Sequence, residues 1–213
     1  MKITVFGAAG EVGSRVVAEA LARDHDVTGV VRHSRQFTKL PQGVTPCSGN
    51  VENIEDVVRL SAGQDIVISA IRPLAGREGK LVAMTQTILN GAAQAGVRLL
   101  IVGGAASLKI PGRGNTTVLT APGFLPEEIV NIACACFAQY AVCQADHSAN
   151  WTYLSPPAML RPGKRTGHYR LGSDELVVDH EDVSQISMED LACVLLDEAE
   201  QAKHYQQRFT AAY

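Results

Sequence analysis

The 213-residue chain has no C-x-x-C pair, no apolar run of membrane-spanning length and no excess of basic charge. Its five cysteines are an odd number for a disulfide frame. Cys134, Cys136 and Cys143 fall within a helical pattern and read as small apolar packing. The six histidines include His33, His147, His168 and His180, and none shows an H-x-x-x-H ligand spacing, so no metal site is expected. The net charge is −3 and no stripe of Lys and Arg alternates with aromatics, which argues against nucleic acid as a partner. The longest apolar stretches are strand-sized, so a membrane partner is not expected either. Lys2 leads directly into strand-like sequence instead of a secretion signal, and free thiols suit a reducing cytoplasm. There are no internal repeats, no low-complexity tract and no linker, so a single domain over residues 1–213 is the expectation.

What the sequence does contain is a regular alternation of strand and helix. Lys2–Phe6 reads as a short buried strand, and the turn Gly7-Ala8-Ala9-Gly10-Glu11-Val12-Gly13 opens a helix with Val12, Val16, Ala20 and Leu21 on one face. Strands follow at Asp26–Val31, Val44–Ser48, Asp65–Ala70, Leu99–Val102 and Trp151–Leu154. Helices are predicted over Asn53–Ser61, over Lys80–Ala95 with Gly96 as its stop, and over Glu127–Ala145 after Pro126. The strands are nearly continuous apolar runs, as in sheets covered on both faces. This pattern predicts a Rossmann-type, doubly wound α/β fold with a mainly parallel sheet and right-handed crossovers. The last third reads differently. Arg165–Gly172 and Leu176–Asp179 form a predicted hairpin on the substrate side, within residues 155–185. Ser187 caps a helix that has Asp190 at its third position and runs to about Glu198, and Arg208–Ala211 is a final strand.

Ligands of such sheets bind beyond the carboxyl ends of the strands. Those ends are Gly7–Gly13, Val31–Arg35, Ser48–Asn50, Ser69–Arg72, Gly103–Ser107 and Ser155–Pro157. A strand, a glycine-punctuated turn and a helix N-terminus together make a seat for a dinucleotide pyrophosphate. Gly7 turns the chain, Gly10 bares the backbone beside Ala9, Glu11 and Val12, and Gly13 lets the helix approach the sheet. Dinucleotide sites for NAD place a carboxylate at the end of the second strand. Here Arg32, Ser34 and Arg35 stand there instead, which favours the 2′-phosphate of NADP, with NAD as second choice. Asn50, Val51, Ser69, Ala70 and Ile71 lie where the coenzyme would pass, together with Gly103. Ser155, Pro156 and Pro157 would wall the nicotinamide side. Arg72 is placed to meet a phosphate, an acidic substrate or a surface carboxylate. Leu108–Leu125 is a long loop positioned to cover a substrate. Glu175, Asp179, Glu181 and Asp182 read as a solvated acidic edge.

Four segments carry a family resemblance: Lys2–Gly10, Val102–Leu108, Trp151–Pro156, and Arg165-Thr166-Gly167-His168-Tyr169-Arg170-Leu171-Gly172. Arg208-Phe209-Thr210 fits as well. On these residues the chain resembles the atypical short-chain dehydrogenase/reductase superfamily, in its NAD(P)H-binding, NmrA-like group. It is most similar to the proteins called NADH-flavin reductases, relatives of biliverdin reductase B. The resemblance implies a coenzyme-dependent oxidoreductase, or else a non-catalytic NADP(H)-sensing regulator. Ser107 corresponds to the superfamily's serine position, which implies a hydrogen bond to substrate. The resemblance is compatible with either a monomer or a homodimer.

The alcohol-oxidising branch of that superfamily moves its proton with Tyr-x-x-x-Lys. Four residues after Tyr140, Tyr153, Tyr169 and Tyr205 stand Gln144, Pro157, Ser173 and Phe209. The dyad is absent, which disfavours an epimerase, a dehydratase or a carbonyl reductase. Hydride transfer to a flavin, entering as a substrate, or to a quinone-like small molecule needs no such acid.

Overall fold

The computed structural model describes residues 1–213 as ten strands and five α-helices. In chain order these are β1 (Lys2–Phe6), α1 (Glu11–Ala22), β2 (Asp26–Val31), β3 (Thr45–Ser48), α2 (Ile54–Ser61), β4 (Ile66–Ser69), α3 (Lys80–Ala95) and β5 (Arg98–Val102). Then follow α4 (Val130–Ala145), β6 (Trp151–Ser155), β7 (Met159–Arg161), β8 (Arg170–Gly172), β9 (Gln185–Ser187), α5 (Met188–Gln201) and β10 (Gln207–Ala212). Eight strands form one sheet in the order β3-β2-β1-β4-β5-β6-β10-β8, parallel throughout except for β8. The remaining two, β7 and β9, pair parallel in a small separate ribbon. No helix is long and apolar enough to cross a membrane.

The continuous apolar strands are explained by burial on both faces. Ile3, Val5, Ile66, Ile68, Leu100 and Leu154 pack toward α1 and α5 with Val16, Ala20, Leu191 and Leu195. Their alternating neighbours Phe6, Val67, Leu99, Ile101, Trp151 and Tyr153 pack the other way with Val57, Ile88 and Leu89 of α2 and α3. β1 has β2 on one side and β4 on the other, so the winding reverses between β1 and β4. A crevice opens at that switch point, beyond the strand ends.

Several local signals act as expected. Asn53 caps α2 through the Glu55 N–H (2.9 Å), and Ser187 caps α5 through the Asp190 N–H (2.9 Å). Gly96 ends α3 in the left-handed conformation (φ 65°). After Pro126 the chain first winds a short 3₁₀ turn, Glu127–Ile129, and α4 proper begins at Val130.

The predicted hairpin is not formed. Gly172, Leu171 and Arg170 pair antiparallel with Thr210, Ala211 and Ala212 of β10, and residues 176–179 form no strand. The reason is tertiary. Residues 165–169 are strapped across α1 and α5 by side chains: Arg165 to Glu19 (2.7 Å), Thr166 Oγ1 to Asp190 (2.6 Å), and Tyr169 to Asp197. Leu176 is drawn into a small cluster with Leu108 and Val118. Strand-like alternation shows that a segment will pair, not which edge it will meet. Cys143 is buried as expected, whereas Cys134 is exposed and takes no part in packing.

Glu19 sits almost wholly buried between two guanidiniums. The hydrogen bond from Arg165, reinforced by Arg23 and opposed by desolvation, holds its carboxyl at about 2, below the usual 4.5. A depressed carboxyl pKa stabilises the fold above the unfolded value and loses that contribution as pH falls through the folded one. Wild type should therefore lose about 2 kcal/mol from this site between about pH 4.5 and pH 2, after discounting for the exposed Arg165. Denaturant titrations of wild type and Glu19→Gln over that range measure it. The variant should show a correspondingly shallower acid limb.

Candidate functional site

The glycine turn adopts a geometry that side chains would break. Gly7 has φ +82°, and a Cβ there would lie 2.6 Å from the Ala70 carbonyl oxygen. A Cβ on Gly13 would lie 2.1 Å from the Gly7 carbonyl oxygen, so α1 can cross the turn closely only because Gly13 lacks one. The Gly10 N–H closes the turn onto Gly7 O (2.9 Å). Gly10 is then the N-cap of α1 and provides no side-chain cap, which leaves first-turn N–H groups available to an anion.

A cavity of about 750 Å³ runs from this turn across the switch point. Gly7, Ala9, Gly10, Glu11 and Val12 line its beginning. Arg32, Asn50 and Val51 line one flank, Ala70 and Ile71 the floor, and Gly103 and Pro156 the far end. Six other residues singled out from sequence lie outside it. Gly13 is buried behind the turn, consistent with its packing role. Ser34 and Arg35 are exposed at the start of a 3₁₀ turn, Ser34–Lys39, and do not line the cavity, although His33 and Gln36 beside them do. Ser69 and Ser155 are buried beneath the cavity wall, the Ser155 hydroxyl without a partner. Ser107 does not line the cavity. Its hydroxyl accepts a hydrogen bond from Arg208 (2.7 Å), whose guanidinium also engages Asp174 and lies 4.4 Å from the Tyr140 ring centroid.

The sequence reading missed the contributions of α3, α4 and the loop before α3. Arg77 and Lys80 line the flank beside Glu52, while Leu81 and Met84 continue the wall. Cys136 and Gln139 of α4 face the far end. Helical periodicity marked both helices as packed but gave no sign of which face overhangs a cleft. Val118, Phe124 and Leu125 of the long loop also line the cavity, as its position after β5 suggested. That loop is held by the Leu108–Val118–Leu176 cluster and by the Lys109–Thr117 bridge.

The far end is apolar and carries no proton donor poised near neutrality. The Tyr153 ring fills the space beside Gly103, where a Cβ would fall 1.9 Å from it. Its hydroxyl donates to Gln139 Oε1 (3.0 Å) and accepts from the Gly104 N–H (3.3 Å). Complete burial pushes its pKa well above the usual 10. Burial likewise raises Tyr140 and pushes the Cys136 thiol up to about 11, against a small opposing pull from Arg72. No group of three His, Cys, Asp or Glu side chains is placed to hold a metal ion.

A family model described as NAD(P)H-binding matches residues 7–202. The chain belongs to this NAD(P)H-binding family. Among its relatives is an uncharacterised Bacillus subtilis protein, YwnB, 33% identical over 99% of this chain and 97% of its own length. Two solved structures superimpose with TM-scores of 0.89. One, from Bacteroides thetaiotaomicron and provisionally named an epimerase, is 39% identical, with 100% of this chain and 96% of that one covered. The other, from Streptococcus pneumoniae and provisionally named an NADH-flavin reductase, is 29% identical and covered over 99% of its length by the whole of this chain.

Proposed function

We propose that the protein is an NADPH-dependent reductase that delivers hydride to a flat, conjugated acceptor, a flavin or a quinone. The observation that carries this reading is the far end of the cavity. It is largely apolar, stiffened by Pro156 and Pro157, with Gln139 and the Arg72 cation beside it, and its acidic hydrogens, on Cys136 and the adjacent Tyr153, are held by burial. A site of that kind suits an acceptor that takes a hydride without a protein acid.

The residues fit the coenzyme. The Gly7–Val12 backbone would receive the pyrophosphate, Asn50 and Val51 the adenine side, and Arg32 the 2′-phosphate. The chemistry supplied is transfer of a hydride from the nicotinamide to the acceptor ring, with the proton drawn from solvent. The chain's part is to hold two rings in contact and keep water out, and positioning of that kind can contribute on the order of 7 kcal/mol. Pro156 and Pro157 form a rigid wall, and Val118, Phe124 and Leu125 close the acceptor side. The provisional name of the Streptococcus pneumoniae protein is in line with this acceptor class.

The test is loss of the NADPH absorbance band with FMN, riboflavin and a quinone offered in turn. Oxidation above background with at least one of them is expected, and Arg32→Ala should weaken NADPH binding about tenfold. Tight NADPH binding with no oxidation by any acceptor would overturn the enzyme reading in favour of a coenzyme sensor. Unchanged NADPH affinity in Arg32→Ala would overturn the assignment of the 2′-phosphate to that residue.

A further inference from the structure

The N-terminus of α3 is built against the usual rule. Its first turn has no acidic residue, Gly79 offers no side-chain cap, and the first helical residue is Lys80, a cation at the positive end of the helix dipole. Arg77 stands three residues earlier. The counter-charge comes from elsewhere in the fold. Glu52, in the turn after β3, forms an ion pair with Lys80 Nζ at 2.7 Å. That turn is held in place: the Glu52 N–H donates to Asn50 Oδ1 (3.1 Å), and the Asn50 N–H donates to the Asp56 carboxylate (2.9 Å). Arg77 and Arg32 act on the same carboxylate through space and, with Lys80, keep it ionised. Arg32, Glu52, Arg77 and Lys80 all line the same flank of the cavity, and neither Arg32 nor Arg77 has an ion-pair partner. Three cations facing one carboxylate leave an excess of two positive charges. A phosphate monoester brings close to two negative charges, and a bare ribose hydroxyl brings none.

We propose that Glu52 is a specificity-determining residue for the coenzyme: a resident counter-charge that holds Lys80 and limits how strongly the Arg32–Arg77–Lys80 cluster attracts a 2′-phosphate. The proposal rests on the coenzyme reading above. Removing the carboxylate while keeping its shape leaves all three cations to the phosphate. The gain is electrostatic, so it belongs to NADPH and not to NADH, and salt reduces it.

The experiment compares full-length wild type, Glu52→Gln and Glu52→Gln/Lys80→Gln by fluorescence titration with NADPH and with NADH, at low and at physiological salt. Glu52→Gln should bind NADPH about fivefold more tightly and NADH within about twofold of wild type, with the gain shrinking as salt rises. The double variant should return close to wild type for NADPH. Equal changes for both coenzymes would show that Glu52 only braces the turn, and no change for either would show that it lies outside the field of the phosphate. Either result overturns the proposal. Binding of neither coenzyme by wild type overturns the coenzyme reading itself, and this proposal with it. A wild type that prefers NADH, together with a selective NADPH gain in Glu52→Gln, would overturn only the NADPH preference and support the role of Glu52.

Discussion

Gly13→Ala should bind NADPH about 100-fold more weakly than wild type and lose about 2 kcal/mol of stability. The added methyl would stand 2.1 Å from the Gly7 carbonyl oxygen and 2.8 Å from its carbonyl carbon. Both are backbone atoms of the turn, so no side-chain rotation relieves the clash and α1 must move off the sheet. A shift of the helix N–H groups away from a bound pyrophosphate would lose one or two charge-assisted hydrogen bonds of about 1.5–3 kcal/mol each, about two orders of magnitude in affinity. Gly10→Ala is the informative companion. Its backbone is ordinary (φ −80°), and a Cβ there would meet only Gly7 O at 3.2 Å. That variant should melt close to wild type yet bind coenzyme more weakly, because the methyl intrudes on the bare backbone. Thermal melts and coenzyme titrations of both variants separate fold from site. Wild-type affinity in Gly13→Ala would refute the assignment of the turn as the coenzyme seat.

Asp190→Ala should be the most damaging single change remote from the cavity, costing about 3 kcal/mol and lowering Tm by about 5–10 °C. The carboxylate is fully buried at the start of α5. It accepts the Thr166 N–H (2.7 Å), the Thr166 hydroxyl (2.6 Å), the Gly167 N–H (2.8 Å) and the Tyr213 hydroxyl (2.7 Å). Burial works to raise its pKa, but these donors outweigh it and the pKa is lowered. Its contribution is therefore complete above the unfolded carboxyl value and is lost as pH falls through the lower folded one. Asp190→Ala should flatten the acid limb of the stability curve as well as lowering its plateau. Asp190→Asn, which keeps one acceptor oxygen, should fall between the two. A Tm within 1–2 °C of wild type for Asp190→Ala would show that the strap over α5 contributes little.

This strap, Arg165–Gly172, is one of the four segments that carry the family resemblance. Its side chains turn away from the cavity. Arg165, Thr166 and Tyr169 bind α1 and α5, and Arg170 reaches the Val178 and Tyr213 carbonyls. These contacts tie the C-terminal segment to the first βα unit and to α5.

β1, β2 and α3 coincide residue for residue with their sequence-based ranges, Lys2–Phe6, Asp26–Val31 and Lys80–Ala95. Each is defined by neighbours in the chain: apolar periodicity within, and glycine or a charged turn at the ends. The glycine turn is legible for the same reason, since Gly10 and Gly13 act on the Gly7 carbonyl only a few residues away. The cavity flank is different. Lys80 meets Glu52 across 28 residues of chain, and the Ser107 hydroxyl meets Arg208 across 101. Nothing local announces either pairing. Ser34 and Arg35 follow Arg32 closely in sequence, yet within the 3₁₀ turn they do not line the cavity while His33 and Gln36 do.

The sequence by itself determined the doubly wound fold, the tight glycine turn and the absence of a tyrosine–lysine dyad, because strand and helix periodicity, glycine conformational freedom and i, i+4 spacing are all short-range properties. Only the tertiary structure decided which edge β8 joins, which faces of α3 and α4 overhang the cleft, and how the cations around Glu52 balance, because those depend on side chains that meet after the sheet has been wound.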